Sequence, residues 1–412
     1  MAPPANAPSS DSSFFFGTIT AYNAVIMSPA RKEEYRGFEQ GPIRPPSEAY
    51  SLLIRVTRNC PWNKCTFCPV YKGSRFSKRP VEHVTCDIDA VGRHLAALRK
   101  LEGEGARGPD ARMREYADGL DSGDLRAFEA ALRWIASGME SVFLQDADSL
   151  VIGPKDMLTI LHRLREHFPW VSRITTYARS RTAHRISQEE MAALAGAGLN
   201  RIHIGMESGS DEVLQRVRKG VTKEQHIAAG RRVLEAGIEL SEYVMPGLGG
   251  RELSEAHATE TADALNRINP HFIRLRTLAV PKMAPISEDL RAGRFEKPTD
   301  VETSREILLF LQSLQGIDSY VKSDHILNLF QEIDGKLPED KDAMTSVIER
   351  FLNMTASRQV VFQVGRRLGR LQRLADCDDP RLVAPVEAVI VQHGITPENV
   401  DDFVDSMMRR FI

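Results

Sequence analysis

Apolar residues recur along this chain in short runs separated by longer stretches of helical period. The runs fall at Leu52–Thr57, Ser141–Asp146, Arg173–Tyr177, Arg201–Met206, Leu240–Met245 and Phe272–Val280, rich in β-branched and aromatic residues, and predict strands. Helix signals stand between them. Ser187 with Glu190, and Thr222 with Gln225, have the spacing of a capping box, in which each side chain satisfies a free backbone N–H of the other's turn. Gly198 and Gly237 sit where left-handed C-caps are needed, and Pro169 and Pro270 follow other helices. After the second strand the units recur roughly every 30–37 residues, the length of a strand, a crossover helix and two loops. Six such units predict an α/β fold, a partial (β/α)6 TIM-like barrel with its working loops at the strand C-terminal ends.

Two regions break the rhythm. A much longer stretch separates Thr57 from Phe143, and its middle, about 102–124, is rich in Gly, Arg, Asp and Glu without apolar periodicity. It reads as an exposed insertion. Beyond Pro285 the strand signal ends and helical periodicity takes over, in Val301–Leu314, Lys341–Leu352 and Glu398–Arg410. The expected organisation is an N-terminal extension over 1–48, rich in Pro, Ser and Ala, a barrel over 49–290, and a C-terminal helical lobe over 291–412.

Composition narrows the class. Of 412 residues 42% are hydrophobic and 27% charged, ordinary for a globular protein, and the formal charge of −2 offers no broad basic field for nucleic acid or an anionic membrane. Residues 1–16 carry no Lys or Arg and no sizeable apolar core, unlike a signal peptide, and no apolar run reaches the ~20 residues of a membrane span. Five cysteines are too few for a secreted disulfide framework. Three of them crowd together, which points to a metal site in a reducing, cytoplasmic compartment.

The crowded segment reads Arg58-Asn59-Cys60-Pro61-Trp62-Asn63-Lys64-Cys65-Thr66-Phe67-Cys68-Pro69, directly after the first apolar run. The thiols therefore belong on the loop at the C-terminal end of the first strand. Thiolates favour iron and zinc over hard cations, and three ligands on a four-iron cluster leave one iron open to a chelating ligand. Cys65 and Cys68 with Cys86 also resemble part of a zinc ribbon, and Cys60 would complete four thiolates. From the cysteines alone, a catalytic cluster and a closed structural site stand level.

The stretch from about Leu52 to Pro285 resembles the radical S-adenosylmethionine (SAM) superfamily, within it the branch of the elongator catalytic subunit and oxygen-independent coproporphyrinogen oxidase. The usual C-x3-C-x2-C motif appears here as C-x4-C-x2-C, with Phe67 at the aromatic position that the resemblance places near the adenine. Where the family commonly has G-G-E-P on the second strand, this chain has Asp146-Ala147-Asp148-Ser149, so Asp146 and Asp148 are the carboxylates offered to the SAM amino group. The alternative is a loop pair that caps the next helix, and for Asp146 the two roles stand level. The fourth strand ends in Gly205-Met206-Glu207-Ser208-Gly209-Ser210-Asp211, close to the family's G-x-E-S-G-S-D. There Glu207 would accept from ribose hydroxyls, Ser208 would donate or accept, and Ser210 or Asp211 would cap the next helix. Pro246-Gly247-Leu248-Gly249-Gly250 ends the fifth strand, where Gly247 and Gly249 would let backbone approach the adenosine or simply turn the chain. Arg179, and less strongly Arg274 or Arg276, are the candidates to pair with the SAM carboxylate.

The resemblance implies a 4Fe-4S cluster, reductive cleavage of SAM to a 5′-deoxyadenosyl radical, hydrogen abstraction from a substrate, and a one-electron donor such as flavodoxin or ferredoxin. Cys86 and Cys377 are too few for a second cluster, and no D-x-H-x-x-G cobalamin string is present. In the helical lobe, Lys322–Asn328 offers His325 and Asn328 as catalytic candidates one helical turn apart; a helix capped by Asp324 is the plainer reading. His203, between two isoleucines in a strand, reads as a packed barrel residue. The run Lys72, Arg75, Lys78 and Arg79 is either a solvated loop or a site for an anionic substrate or donor protein. The expected substrate is a small molecule. Without an appended RNA-binding module or a basic surplus, a tRNA-modifying member ranks below it, and a four-thiolate zinc or iron–sulfur protein is the alternative from a different class.

Overall fold

Alternation sorts the side chains of the predicted strands into two faces. Ile54, Leu144, Ile174, Ile204, Leu240 and Ile273 lie in the apolar core shared with the helices. Phe143, Tyr177, His203 and Tyr243 face the other way and meet one another, with neighbouring ring centroids 5.2, 5.6 and 5.7 Å apart. Parallel strands covered on both faces need crossover helices, and the chain supplies them. The computed structural model describes residues 33–103 and 109–408. By its internal contacts the chain divides into a short unit, Met1–Tyr35, and a large one, Arg36–Ile412.

In the large unit β1 (Leu52–Arg55) is followed by β2 (Thr57–Arg58), which pairs antiparallel with β3 (Ser77–Lys78) and closes the cysteine loop between them. Helices α1 (Val81–Gly103), α2 (Pro109–Asp118) and α3 (Ser122–Ala136) lead to β4 (Ser141–Gln145). The regular units follow: α4 (Pro154–His167), β5 (Arg173–Ala178), α5 (Ser180–Ala183), α6 (Gln188–Gly196), β6 (Arg201–Glu207), α7 (Asp211–Arg216), α8 (Lys223–Glu235), β7 (Glu239–Val244), α9 (Ser254–Ile268) and β8 (Phe272–Leu275). Both predicted capping boxes are formed, at Ser187 and Thr222, and Gly198 and Gly237 take positive φ values of 98° and 76°. Strands β1, β4, β5, β6, β7 and β8 pair in that order, all parallel, in a partial TIM-like barrel. At its N-terminal end Glu48 is fully buried, 3.4 Å from Arg173 and 3.5 Å from His203. His203 is a packed barrel residue, as its flanking isoleucines suggest.

Three expectations are corrected. The stretch 102–124 contains α2 and the start of α3, and Met113, Tyr116, Ala117 and Leu120 pack on the core. Their spacing is a helical stripe that the surrounding charges obscure; residues 104–108 lie outside the described set. The strand signal also does not end at Pro285. After α10 (Ile286–Arg291) and α11 (Asp300–Ser313), β9 (Tyr320–Lys322) joins β8 in parallel and β10 (Asp334–Lys336) pairs antiparallel at the sheet edge. Three-residue strands carry too little periodicity to be read from sequence. Helices α12 (Lys341–Leu352), α13 (Ala356–Arg367), α14 (Pro380–His393) and α15 (Val400–Met408) complete the C-terminal region.

The third correction concerns Asp324–Asn328, which is a turn after β9 and not a capped helix. Asp324 pairs with Arg274, one strand over. The Asn328 side chain is saturated: Oδ1 accepts from Thr277 N (2.8 Å) and Thr277 Oγ1 (3.0 Å), while Nδ2 donates to Leu275 O (2.8 Å) and Ser323 Oγ (3.0 Å). It ties this turn to the end of β8 and has no bond left for substrate. Asn328→Ala strands the buried Thr277 N–H and should cost about 1–3 kcal/mol. A chemical-denaturation midpoint equal to wild type would contradict that role.

Candidate active site at the cysteine loop

The loop between β2 and β3 carries Cys60, Cys65 and Cys68, and its shape follows from who satisfies its backbone. Asn59 and Asn63 take left-handed backbone angles, φ 67° and 45°, a region asparagine tolerates better than most residues. Their side-chain amides then donate across the loop, Asn59 Nδ2 to Arg75 O (2.6 Å) and Asn63 Nδ2 to Tyr71 O (2.5 Å). Lys72 Nζ returns the bond to Asn63 O (2.8 Å). On the far side the loop is fastened to the end of α7, where Thr66 N donates to Val217 O (3.0 Å) and Trp62 Nε1 to Arg218 O (2.7 Å).

The anchor is Asp146, just beyond β4. It is fully buried, accepts from Arg55 Nη2 (2.8 Å) and Nε (3.1 Å) through Oδ2, from Asn59 N (3.2 Å), and from the Tyr71 hydroxyl through Oδ1 (2.7 Å). Each of its oxygens is therefore committed to the loop or its strand. Asp148 is buried too and turns away: Oδ2 accepts from Thr182 Oγ1 (2.6 Å) and Oδ1 from Arg179 N (3.4 Å). Burial pushes its carboxyl up to about 6, against the pull of Thr182 and Arg179.

Around the thiols stand Phe67, Lys219 and Glu207. Phe67 packs in an apolar cluster with Val213, Val217, Met245 and Leu248. Lys219 Nζ lies 5.7 Å from the Phe67 ring centroid and 3.1 Å from Glu207 Oε1. Glu207 has φ 67° where the β6–β7 register shifts, and a Cβ on Gly205 would come within 2.4 Å of its Oε1. Glycine at 205 thus makes room for the Glu207–Lys219 pair. Burial pushes the Cys65 and Cys68 thiols up; Lys219 and then Arg179 oppose it at Cys65, and the Val70 N–H opposes it at Cys68. Arg179 donates to Lys219 O (2.7 Å) and lies 5.1 Å over the Trp62 ring.

The next two loops are laced together by residues that the sequence did not single out. Ser208 Oγ lies 2.8 Å from His257 Nδ1 on α9 and accepts from Ser210 N (3.1 Å). The other His257 nitrogen lies 3.0 Å from Met245 O, and Gly247 N donates to Glu306 Oε1 on α11 (2.7 Å). Ser210 holds the N-cap position of α7 without a side-chain cap bond, and Asp211 accepts instead from Lys223 N (2.7 Å). Gly247 has φ 86°, and a Cβ on Gly249 would come within 2.8 Å of Leu253 O, so both glycines are needed for the turn itself. No local signal marks His257 or Glu306, because each acts through space on a loop distant in sequence.

The remaining candidates separate. Arg276 is exposed, and with Asp324 it acts on His325, whose imidazole burial and then Arg276 hold down to about 4. The basic run does not form one patch: Arg79 is buried against Asp87 and Lys72 is bound within the loop, while Arg75 and Lys78 are exposed. Cys86 sits on α1 among Asp87, Asp89, Arg93 and Arg163, and Cys377 is buried near Arg358 in the C-terminal region. Neither joins the loop. Among the described residues no three His, Cys, Asp or Glu groups gather as a single metal ion would need, and no helix is long and apolar enough to cross a membrane.

The family model described as Radical SAM superfamily matches residues 54–262, half of the chain, including all three loop cysteines and the Glu207–Asp211 string. The chain belongs to the radical SAM superfamily, enzymes that work with an iron–sulfur cluster and SAM. Among curated proteins it is 32% identical over 203 residues to 4′-phospho-dehydrooxetanocin synthase of Priestia megaterium, covering 46% of this chain and 22% of that one. It is 21% identical over 309 residues to tRNA uridine(34) acetyltransferase of Methanocaldococcus jannaschii, covering 71% and 54%. Among solved structures, coproporphyrinogen III oxidase from Escherichia coli matches with a TM-score of 0.41 at 15% identity, covering 64% of this chain and 50% of that one. The chain spans about a fifth to a half of the curated relatives it matches.

Two carboxylates give opposite expectations. Asp146→Asn weakens a buried ion pair and should lower stability by about 3 kcal/mol while speeding alkylation of the loop cysteines; an unchanged urea midpoint would refute the anchor. Asp148 binds its proton more tightly folded than unfolded, so its contribution is favourable below about pH 4 and is lost as pH rises towards 6. Asp148→Asn should remove that slope and stabilise the protein at pH 7 by up to about 3 kcal/mol. Parallel stability–pH curves for variant and wild type would exclude it.

Proposed function

We propose that this chain reductively cleaves SAM at a [4Fe–4S] cluster held by Cys60, Cys65 and Cys68, and takes a hydrogen atom from a small-molecule substrate at the barrel mouth. The observation that carries the proposal is the loop itself: three soft thiol donors fastened by Asp146 on one side and α7 on the other, beside Lys219, Phe67 and Glu207. The donor set suits iron, and the two other cysteines lie elsewhere, which speaks against a closed four-thiolate site. A cluster held by Cys60, Cys65 and Cys68 would supply the electron for reductive cleavage of SAM, and the cleaved cofactor would supply the hydrogen abstraction.

The chain's own residues position and screen. Lys219 and Arg179 place positive charge beside thiols that must be thiolates to bind iron. Glu207 offers a second oxygen to ribose hydroxyls, and Phe67 an apolar wall for the adenine. Gly247 and Gly249 hold the turn opposite. Asp146 acts through the loop as a positioning residue, and Asp148 positions the backbone of Arg179. Tyr177 and Tyr243, whose rings lie 6.4 Å apart on the inner strand face, and Arg276 near them are the side chains we assign to substrate, with His325, held neutral by burial and Arg276, beside them. An external flavodoxin or ferredoxin supplies the electron. The name of the M. jannaschii relative makes a tRNA substrate the second reading, but this chain spans 54% of that protein and has a formal charge of −2.

Anaerobically reconstituted wild type with dithionite and SAM should release 5′-deoxyadenosine, and Cys65→Ala should release at least about 100-fold less, as expected when a cofactor ligand is lost. No product from wild type, or product retained in Cys65→Ala, would defeat the proposal.

A further inference from the structure

Trp62 lies in the first gap of the cysteine motif, two residues after Cys60 and three before Cys65. Its indole is half-buried, fixed by the Nε1 bond to Arg218 O and by Gly220, where a Cβ would collide with the ring. Cations crowd it: Lys64 Nζ at 4.9 Å, the Arg179 guanidinium at 5.1 Å and that of Arg181 at 6.0 Å from the ring centroid. The ring also lines a surface cleft of about 530 Å³ with Arg181, Arg218 and Gln225. Lys64, Arg181 and Arg218 have no carboxylate partner among the described residues. The one acidic side chain lining the cleft, Asp211, accepts from the Lys223 backbone N–H. A chain with a formal charge of −2 thus concentrates unpaired positive charge on the outside of its cysteine loop.

We propose that this face is where an acidic one-electron donor protein docks, an inference that rests on the functional reading above. An aromatic centre inside a cationic rim matches how transient, electrostatically steered interfaces are built, and such steering raises association rates. The location fits electron transfer, because the half-buried Trp62 and the exposed Lys64 belong to the segment joining Cys60 and Cys65. The step balances simply: a reduced flavin or iron–sulfur donor loses one electron and the oxidised cluster gains it. Single-stranded nucleic acid would also meet cations and an aromatic ring. The Trp62 ring, however, is already covered by lysine and arginine and seated on Gly220, so a base could stack only by displacing them.

The test uses anaerobically reconstituted holoenzyme and a purified acidic flavodoxin, reduced beforehand. Stopped-flow absorbance follows cluster reduction, and fluorescence anisotropy of labelled flavodoxin follows binding. In wild type both should weaken steeply between 50 and 300 mM salt, over which the screening length shrinks about 2.4-fold. The double variant Lys64→Glu, Arg181→Glu should reduce about tenfold more slowly with flavodoxin and bind it correspondingly less, with the rate from dithionite unchanged. A flavodoxin rate that is salt-independent or unaltered by charge reversal overturns the docking face, as does slow reduction by dithionite too. So does tight binding of total tRNA that blocks flavodoxin at 150 mM salt. A wild type that takes up cluster but cleaves no SAM overturns the functional reading instead, and is distinguishable because reduction by flavodoxin is measured without SAM.

Discussion

A buried carboxylate with more donors than its own strand can provide organises the mouth of this barrel. The β1–β4 register places Arg55 opposite Gln145, so the Arg55 guanidinium reaches Asp146 immediately beyond the strand end. A carboxylate taken out of water needs its lone pairs filled, and the fillers here are the Tyr71 hydroxyl and the Asn59 N–H, both from the cysteine loop. Desolvating Asp146 therefore selects the loop conformation that satisfies it. Tyr71 is in turn held as a neutral phenol by its own burial and by the adjacent carboxylate. The opposite edge of the loop is sewn to α7, so the thiols are suspended between β4 and the helix following β6.

The same economy links the other side of the mouth to the C-terminal region. Glu306 on α11 holds the Gly247 amide, and Ser254 donates to the same carboxylate (2.5 Å). His257 spans from Ser208 to the Met245 carbonyl. The two loops that would contact SAM thus share one buried polar network, and the region beyond β8 contributes to it directly. The turn after β9 does likewise on the next edge, where Asn328 and the Arg274–Asp324 pair fix it beside β8.

The βα rhythm was legible because its signals are local: alternation in β4 to β8, the capping boxes at Ser187 and Thr222, and the left-handed glycines. The stripe Met113–Leu120 was hidden by dense charge, and β9 and β10 are pairings of three residues that exist only because β8 offers an open edge. In the site, the cysteines and the Glu207–Asp211 string could be read directly because their chemistry lies in consecutive residues. Asp146 and Asp148 were legible as important carboxylates but not in their present tasks, since Tyr71, Arg55 and Thr182 reach them only through the fold. Lys219, His257 and Glu306 gave no signal, each being an ordinary helix or loop residue until the barrel brings it to the mouth.

Everything proposed for this barrel mouth requires three thiolates to hold a four-iron cluster with one iron left for SAM. Low-temperature electron paramagnetic resonance of the reduced, reconstituted protein, recorded with and without SAM, tests it most directly. A reduced four-iron signal whose g values shift when SAM binds is expected. A signal unmoved by saturating SAM, or a purified protein holding zinc at the three cysteines and refusing iron, would contradict it.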